Sequence, residues 1–134
     1  MARWVSYFAA FMLIAHGLIH LLGTTVYLRL GEVVGFPYKT TLLGNSWDVG
    51  TVGIGIFGAM WAVAAVGFIV SAIGMLTGSS WWQPFLNGVT VFSLLLTGLD
   101  WNLAFAGVAL NLVILALVFW LQRSSVQSTV VGEG

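Results

Sequence analysis

Long apolar runs separated by short polar stretches dominate the pattern of this chain. A helix needs about 20 mainly apolar residues to cross the hydrocarbon of a bilayer, and four runs meet or approach that length: residues 4–27, 50–76, 82–99 and 102–121. The third is short from Pro84, which suits the first turn of a helix, and becomes adequate once the tryptophans before it are included. Two connections are brief, TGSSWWQ and DWN, whereas residues 28–49 form a long first loop, LRLGEVVGFPYKTTLLGNSWDV. The pattern predicts an all-α fold, an integral membrane four-helix bundle with a longer first loop. A chain this short allows one domain, over residues 1–122. The polar, small-residue-rich stretch 123–134 is expected to be a disordered tail. Residues 4–27 start like a secretory leader, but the run is long, holds two histidines and lacks a small-x-small cleavage site, so a retained first membrane helix is expected.

Composition strengthens the membrane reading. The chain is 60% hydrophobic and 6% charged, against roughly 25% charged residues in soluble domains. Four basic and four acidic side chains give zero formal net charge, so nucleic acid is not expected as a partner. The lipid bilayer is. There are no cysteines, which excludes disulfides, thiolate metal sites and covalent c-type haem attachment. Trp4, Trp47, Trp81, Trp82, Trp101 and Trp120 fall at predicted helix ends, where indoles favour the headgroup level; Trp61 alone falls mid-helix. Arg3 and Arg123 balance Arg29 and Lys39 across the membrane, and both termini are expected in the cytoplasm. With four spans, the first and third loops share one face, which gathers Arg29, Glu32, Lys39, Asp48 and Asp100 there. His20 lies one turn nearer that face than His16.

The candidate chemistry starts from AHGLIHLLG. His16 and His20, four apart, share one helix face with Ser6, Ala9, Leu13, Thr24 and Tyr27, and so polar a stripe should turn into the bundle. Ionisable groups inside a membrane suggest function. The pair could ligate a divalent metal or a haem iron, relay protons or hold a polar headgroup. As a zinc site it would need Asp48 or Asp100 to complete the ligands. A structural cluster is equally open, with neutral histidines bonded to Thr24, Asn111 or an aspartate. Asp48 and Asp100 suit helix caps, and either could meet His20. Asn111 needs a partner, between helices by expectation. Lys39 and Arg29 could hold a phosphate or carboxylate, or only snorkel. GIGIFG matches G-x-G-x-x-G but lacks the strand a nucleotide site requires. It reads better as packing, through Gly55, Gly58, Ala62 and Ala65. No nucleophile motif or Walker loop is present.

HGLIHLLG, FPYKTTLLGNSWDVGTVGI with FGAMW, and LDWNLAFAGVALNLVIL together resemble a family of small bacterial four-helix membrane proteins, over about residues 12–115. The resemblance implies four spans and a bacterial inner membrane, and it carries over no activity. Size and layout are more loosely similar to DoxX-like membrane proteins, some of which are linked to quinone-coupled redox work. The expectation is a binding or accessory subunit, more readily non-enzymatic than enzymatic. Its polar intramembrane pocket would be built from His16, His20, Thr24, Tyr27, Lys39, Asp48, Asp100 and Asn111. It would act as a homo-oligomer or within a larger membrane complex. A haem- or metal-binding redox protein, with His16 and His20 as ligands, is the alternative, and a dimeric proton-coupled transporter the second.

Overall fold

Helix α1, Arg3–Tyr27, buries Ala10, Leu13, His16, Gly17, His20, Gly23, Thr24, Val26 and Tyr27, the face marked by the histidine stripe and widened by small residues beside it. In this computed structural model, which describes residues 3–131, three helices follow: α2 Gly50–Leu76, α3 Trp82–Leu99 and α4 Trp101–Val131. Of residues 121, 122 and 124–131 the backbone alone is described. The first three helices match the predicted bounds to within one residue. Helix α4 continues past the predicted end at 121, so the backbone of 123–131 is helical where composition suggested disorder. Once formed, a helix gains a hydrogen bond per added residue, and no glycine or proline occurs after residue 121 until Gly132. The remainder of the expected tail, 132–134, lies outside the described residues.

Helices α1, α2 and α4 are long and apolar enough to cross a membrane. At about 1.5 Å per residue, even α3 spans a comparable depth, but Thr90, Ser93 and Thr97 make it less apolar, and all three are buried. Outward faces carry Phe8, Phe11, Val52, Val63, Leu95 and Phe105, all exposed, as suits a lipid solvent.

Helices pack in chain order, α1 on α2, α2 on α3, α3 on α4. The closest approach is α1 on α2. A Cβ added at Gly17 would sit 2.9 Å from the backbone oxygen of Ala65, and one at Gly58 would sit 2.8 Å from the Tyr27 Cβ. Thr24 fastens the same seam by donating to the Gly58 carbonyl at 3.0 Å. Of the expected packing stripe, Gly58 and Ala65 are buried; Gly55 meets nothing within 4 Å. Replacing Gly17 by Ala forces the two backbones apart, because the obstacle is main chain and cannot swing away. A loss of about 1–3 kcal/mol is expected, read by unfolding in mild detergent, and Gly55→Ala should be neutral by the same measurement.

Two short elements organise the first loop. Strands β1, Thr41–Leu42, and β2, Trp47–Asp48, pair antiparallel. Their turn uses positive φ at Leu43, Gly44 and Asn45, and Leu43 N–H donates to the Leu99 carbonyl at 2.8 Å. That bond docks the loop on the end of α3. Leu42 is buried with Val26, Tyr27, Ile54, Phe57 and Trp61, while Val33 and Phe36 pack on the cluster from outside. The loop thus roofs one end of the bundle. Helix α4 starts from the same corner: the Asp100 carbonyl accepts from Leu103 and Ala104 N–H groups, and α4 kinks at Ala104.

Candidate functional site

Four polar side chains from three helices close on one another inside the bundle. His16 and His20 come from α1, Ser93 from α3 and Asn111 from α4. Their relative exposures are 3%, 1%, 0% and 0%. Backbone carbonyls accept only, so His20 Nδ1–H donates to the His16 carbonyl at 3.0 Å. In a neutral ring that leaves His20 Nε2 as an acceptor, and Ser93 Oγ–H donates to it at 2.7 Å. Asn111 Nδ2–H donates to Ser93 Oγ at 2.8 Å and to Thr97 Oγ1 at 3.3 Å. Asn111 Oδ1 accepts from His16 Nε2–H at 3.1 Å. Thr97 spends its own hydrogen on the Ser93 carbonyl at 2.9 Å. One set of hydrogens is consistent with every one of these bonds. The imidazoles stand nearly perpendicular, 4.8 Å apart, with His16 edge-on to Phe68 at 4.6 Å.

This closure decides what the cluster can do. The ring nitrogens facing the other helices, His16 Nε2 and His20 Nε2, are bonded to different side chains, one as donor and one as acceptor, so they do not converge on a metal. Among the described residues no group of three His, Cys, Asp or Glu side chains is placed to hold a metal ion, so neither aspartate completes a zinc ligand set with His16 and His20. Ser93, His20 and the His16 carbonyl also have the connectivity of a nucleophile, its base and an orienting group. But Ser93 is fully enclosed, and Asn111 already bonds its Oγ, which leaves no face for a substrate.

A second cluster lies nearly two turns further along. Asp100, 1% exposed, accepts from Tyr27 O–H through Oδ2 and pairs through Oδ1 with Lys39 Nζ at 2.6 Å. The Lys39 side chain is 17% exposed and the Asp100 side chain 0%, so the ion pair reaches from loop to bundle interior. Thr90, Ser93, Thr97 and Asp100 form a ladder at spacings of three and four on one face of α3, facing the stripe of α1.

Neither aspartate meets His20, contrary to one expectation; Ser93 takes that place. Asp100 caps through its carbonyl rather than its carboxylate, because the carboxylate is held by Tyr27 and Lys39. Asp48 is exposed in β2 and stands one residue before Val49, the N-cap of α2; its Oδ1 accepts from Gly50 N–H at 3.0 Å in a local turn. Thr24 bonds to backbone carbonyls and not to an imidazole. Lys39 holds this chain's own carboxylate, and Arg29 lies over the Tyr38 ring at 4.4 Å. Sequence reasoning missed Ser93 and Thr97, although the spacing of polar residues in an otherwise apolar third helix marks both.

The Gly50 amide, with Thr40 as a second donor, lowers the Asp48 pKa from its ordinary value. A lowered folded value means that its contribution is full above the ordinary carboxylate range and lost as pH falls through the folded value. The Gly50 amide resonance should therefore titrate at low pH, with a midpoint below that of a free aspartate. In Asp48→Asn it should stay flat.

A groove of about 470 Å³ runs along the outer faces of α2 and α3, past the apolar side chains of Val63, Val70, Phe85 and Val89 and past Gly67. A smaller one of about 270 Å³ lies under the first loop, bounded by Val26, Glu32, Val33, Phe36, Pro37 and Tyr38. Phe36, one of its walls, stacks edge-on to Tyr27 at 5.6 Å.

These features define an all-helical protein with three helices able to span a membrane and a polar interior. No family model, no curated protein and no solved structure matches the chain.

Proposed function

We propose that the chain is a membrane-embedded binding subunit whose ligand enters at the roofed end of the bundle. The cavity under the first loop, walled by Val26, Val33, Phe36 and Tyr38 at the end of the bundle where Lys39 pairs with the buried Asp100, carries this reading. The histidine cluster is its frame: bonds from His16 to Asn111, from Ser93 to His20 and from Asn111 to Ser93 tie α1, α3 and α4 together beneath the mouth. In this reading α3 is the fourth span and the bilayer is a bacterial inner membrane. Both termini are cytoplasmic, and the outward groove of α2 and α3 faces lipid or a further copy or subunit. The engaged ring nitrogens weigh against the redox-metal alternative. The transporter alternative draws on the ladder from Lys39 towards Asn111, but among the described residues no hydrogen bond joins Asp100 to Thr97, so the ladder is broken as a proton wire.

Filling the cavity tests the proposal. Val33→Trp places a large ring in the mouth without touching Asp100, Lys39 or the histidines. Wild-type protein in nanodiscs, incubated with a cell-lipid extract and washed, should retain a small-molecule adduct by native mass spectrometry, and the variant should lose it. Equal retention by both, or none by either, overturns the proposal.

A further inference from the structure

Tyr27, Phe36, Phe57 and Trp61 form a nest of aromatic rings just inside the mouth. Phe36 lies 6.2 Å from Trp61 and 5.6 Å from Tyr27; Phe57 lies 6.1 Å from Trp61 and 5.6 Å from Tyr27. Three of these rings belong to helices, while Phe36 alone comes from the loop and also borders the cavity. Its hold is slight. Phe36 is half-buried, the turn that presents it passes through Gly35 at φ 79° with open space around it, and Val34 beside it is fully exposed. Phe36 N–H donates to the Val33 carbonyl within the same turn. Among the described residues no hydrogen bond ties residues 31–38 to a helix. Besides the packing of Val33 and Phe36 on the aromatic cluster, the segment is clamped at its edges, by Arg29 on Tyr38 and by Lys39 on Asp100.

Trp61 supplies a second, independent observation. It is 3% exposed, and its indole Nε1–H meets no acceptor among the described residues. The edge of the ring at Cδ2 and Cε3 is covered by Gly23, whose missing side chain would stand 2.6 Å away; the N–H belongs to the other edge. A buried donor left unmet costs about 1–3 kcal/mol, and the rings around this indole, His20, Phe57, Phe36 and Tyr27 at 5.2–6.5 Å, supply it no hydrogen bond.

We infer that Phe36 occupies the place of a ligand ring, and that the ligand is a small, flat, mainly apolar molecule carrying one hydrogen-bond acceptor for Trp61 Nε1–H. This inference rests on the mouth being the binding site. The bundle rings supply apolar contact, Phe36 swings out with its turn, and the indole distinguishes a molecule with an acceptor from one of the same shape without it.

Acetophenone and ethylbenzene differ in that one respect and are the probes. Binding to the full chain in nanodiscs is measured by the Trp61 indole ¹⁵N–¹H resonance, with Val33→Trp giving the background from partition into lipid. After that correction acetophenone should bind about five- to tenfold tighter than ethylbenzene, the worth of one neutral hydrogen bond to a buried donor, and only acetophenone should shift the indole proton downfield. Phe36→Ala should tighten both probes and keep their ratio; Trp61→Phe should bring the ratio to about one. If Trp61→Phe does not fold, the downfield shift in wild-type protein decides. Binding of both probes that Val33→Trp blocks, with no preference between them and no indole shift, overturns the acceptor inference while the mouth site stands. Binding that Val33→Trp leaves unchanged overturns both.

Discussion

Asp100→Leu is expected to destabilise the protein by about 3 kcal/mol or more, because removing one partner of a buried ion pair leaves the other charge uncompensated. Two losses combine. Lys39 Nζ loses the carboxylate it meets at 2.6 Å, and the Tyr27 hydroxyl, on a side chain 2% exposed, loses its acceptor. Lys39 retains 17% exposure and can turn part of its ammonium towards water, which places the cost at the lower end of the range for such pairs. Asp100→Asn should cost less, since an amide oxygen still accepts from Tyr27. Lys39→Met with Asp100→Leu should recover much of the loss, as buried pairs replaced by apolar residues often do. Far-UV circular dichroism of unfolding in mild detergent checks the series. If Asp100→Leu and wild type unfold alike, the pair does not hold the loop to the bundle.

The double variant also separates structure from binding. With the pair gone and stability recovered, the loop edge beside Pro37 and Tyr38 is released while the cavity walls remain. Ligand retention then depends on the roof rather than on overall unfolding.

Helix positions were legible because a run long and apolar enough to cross a membrane is a coarse signal, and tryptophans fall near its ends. The inward face of α1 was legible for the same reason, since His16, His20, Thr24 and Tyr27 have no place against acyl chains. Partners were less so. The sequence brought aspartates and histidines to one face, yet the short carboxylates of Asp48 and Asp100 reach only what stands beside the helix ends. His20 lies nearly two turns below Tyr27, which is level with Asp100, and its neighbour across the bundle is Ser93. Serine and threonine inside α3 looked like ordinary members of an apolar run until the structure turned Thr90, Ser93 and Thr97 to one side. Least legible was the first loop. Its pairing of Lys39 with Asp100, 61 positions away in the chain, depends on a hairpin docking on Leu99, which no local pattern announces.

Asn111→Leu is the second large expected effect, at about 2–3 kcal/mol, because one side chain completes several bonds in a place water cannot enter. Removing it leaves the His16 Nε2–H donor without its acceptor and takes a donor from Ser93 and from Thr97. The His16 donor decides the size of the effect: the two hydroxyls keep acceptors of their own in His20 Nε2 and the Ser93 carbonyl, whereas the imidazole must find another tautomer or stay unpaired. His16→Leu should therefore cost less than Asn111→Leu, since it strands only the Asn111 carbonyl oxygen. A double-mutant cycle on the two should show a coupling of about 0.6–1.7 kcal/mol, the span measured for hydrogen bonds between membrane helices. Coupling near zero would mean that the two side chains do not meet across the bundle, and the cluster would then fail as the frame beneath the mouth. Coupling in the expected span, with the mouth ligand still retained by the folded double variant, would assign the histidine pair to architecture and leave binding to the end of the bundle roofed by Phe36.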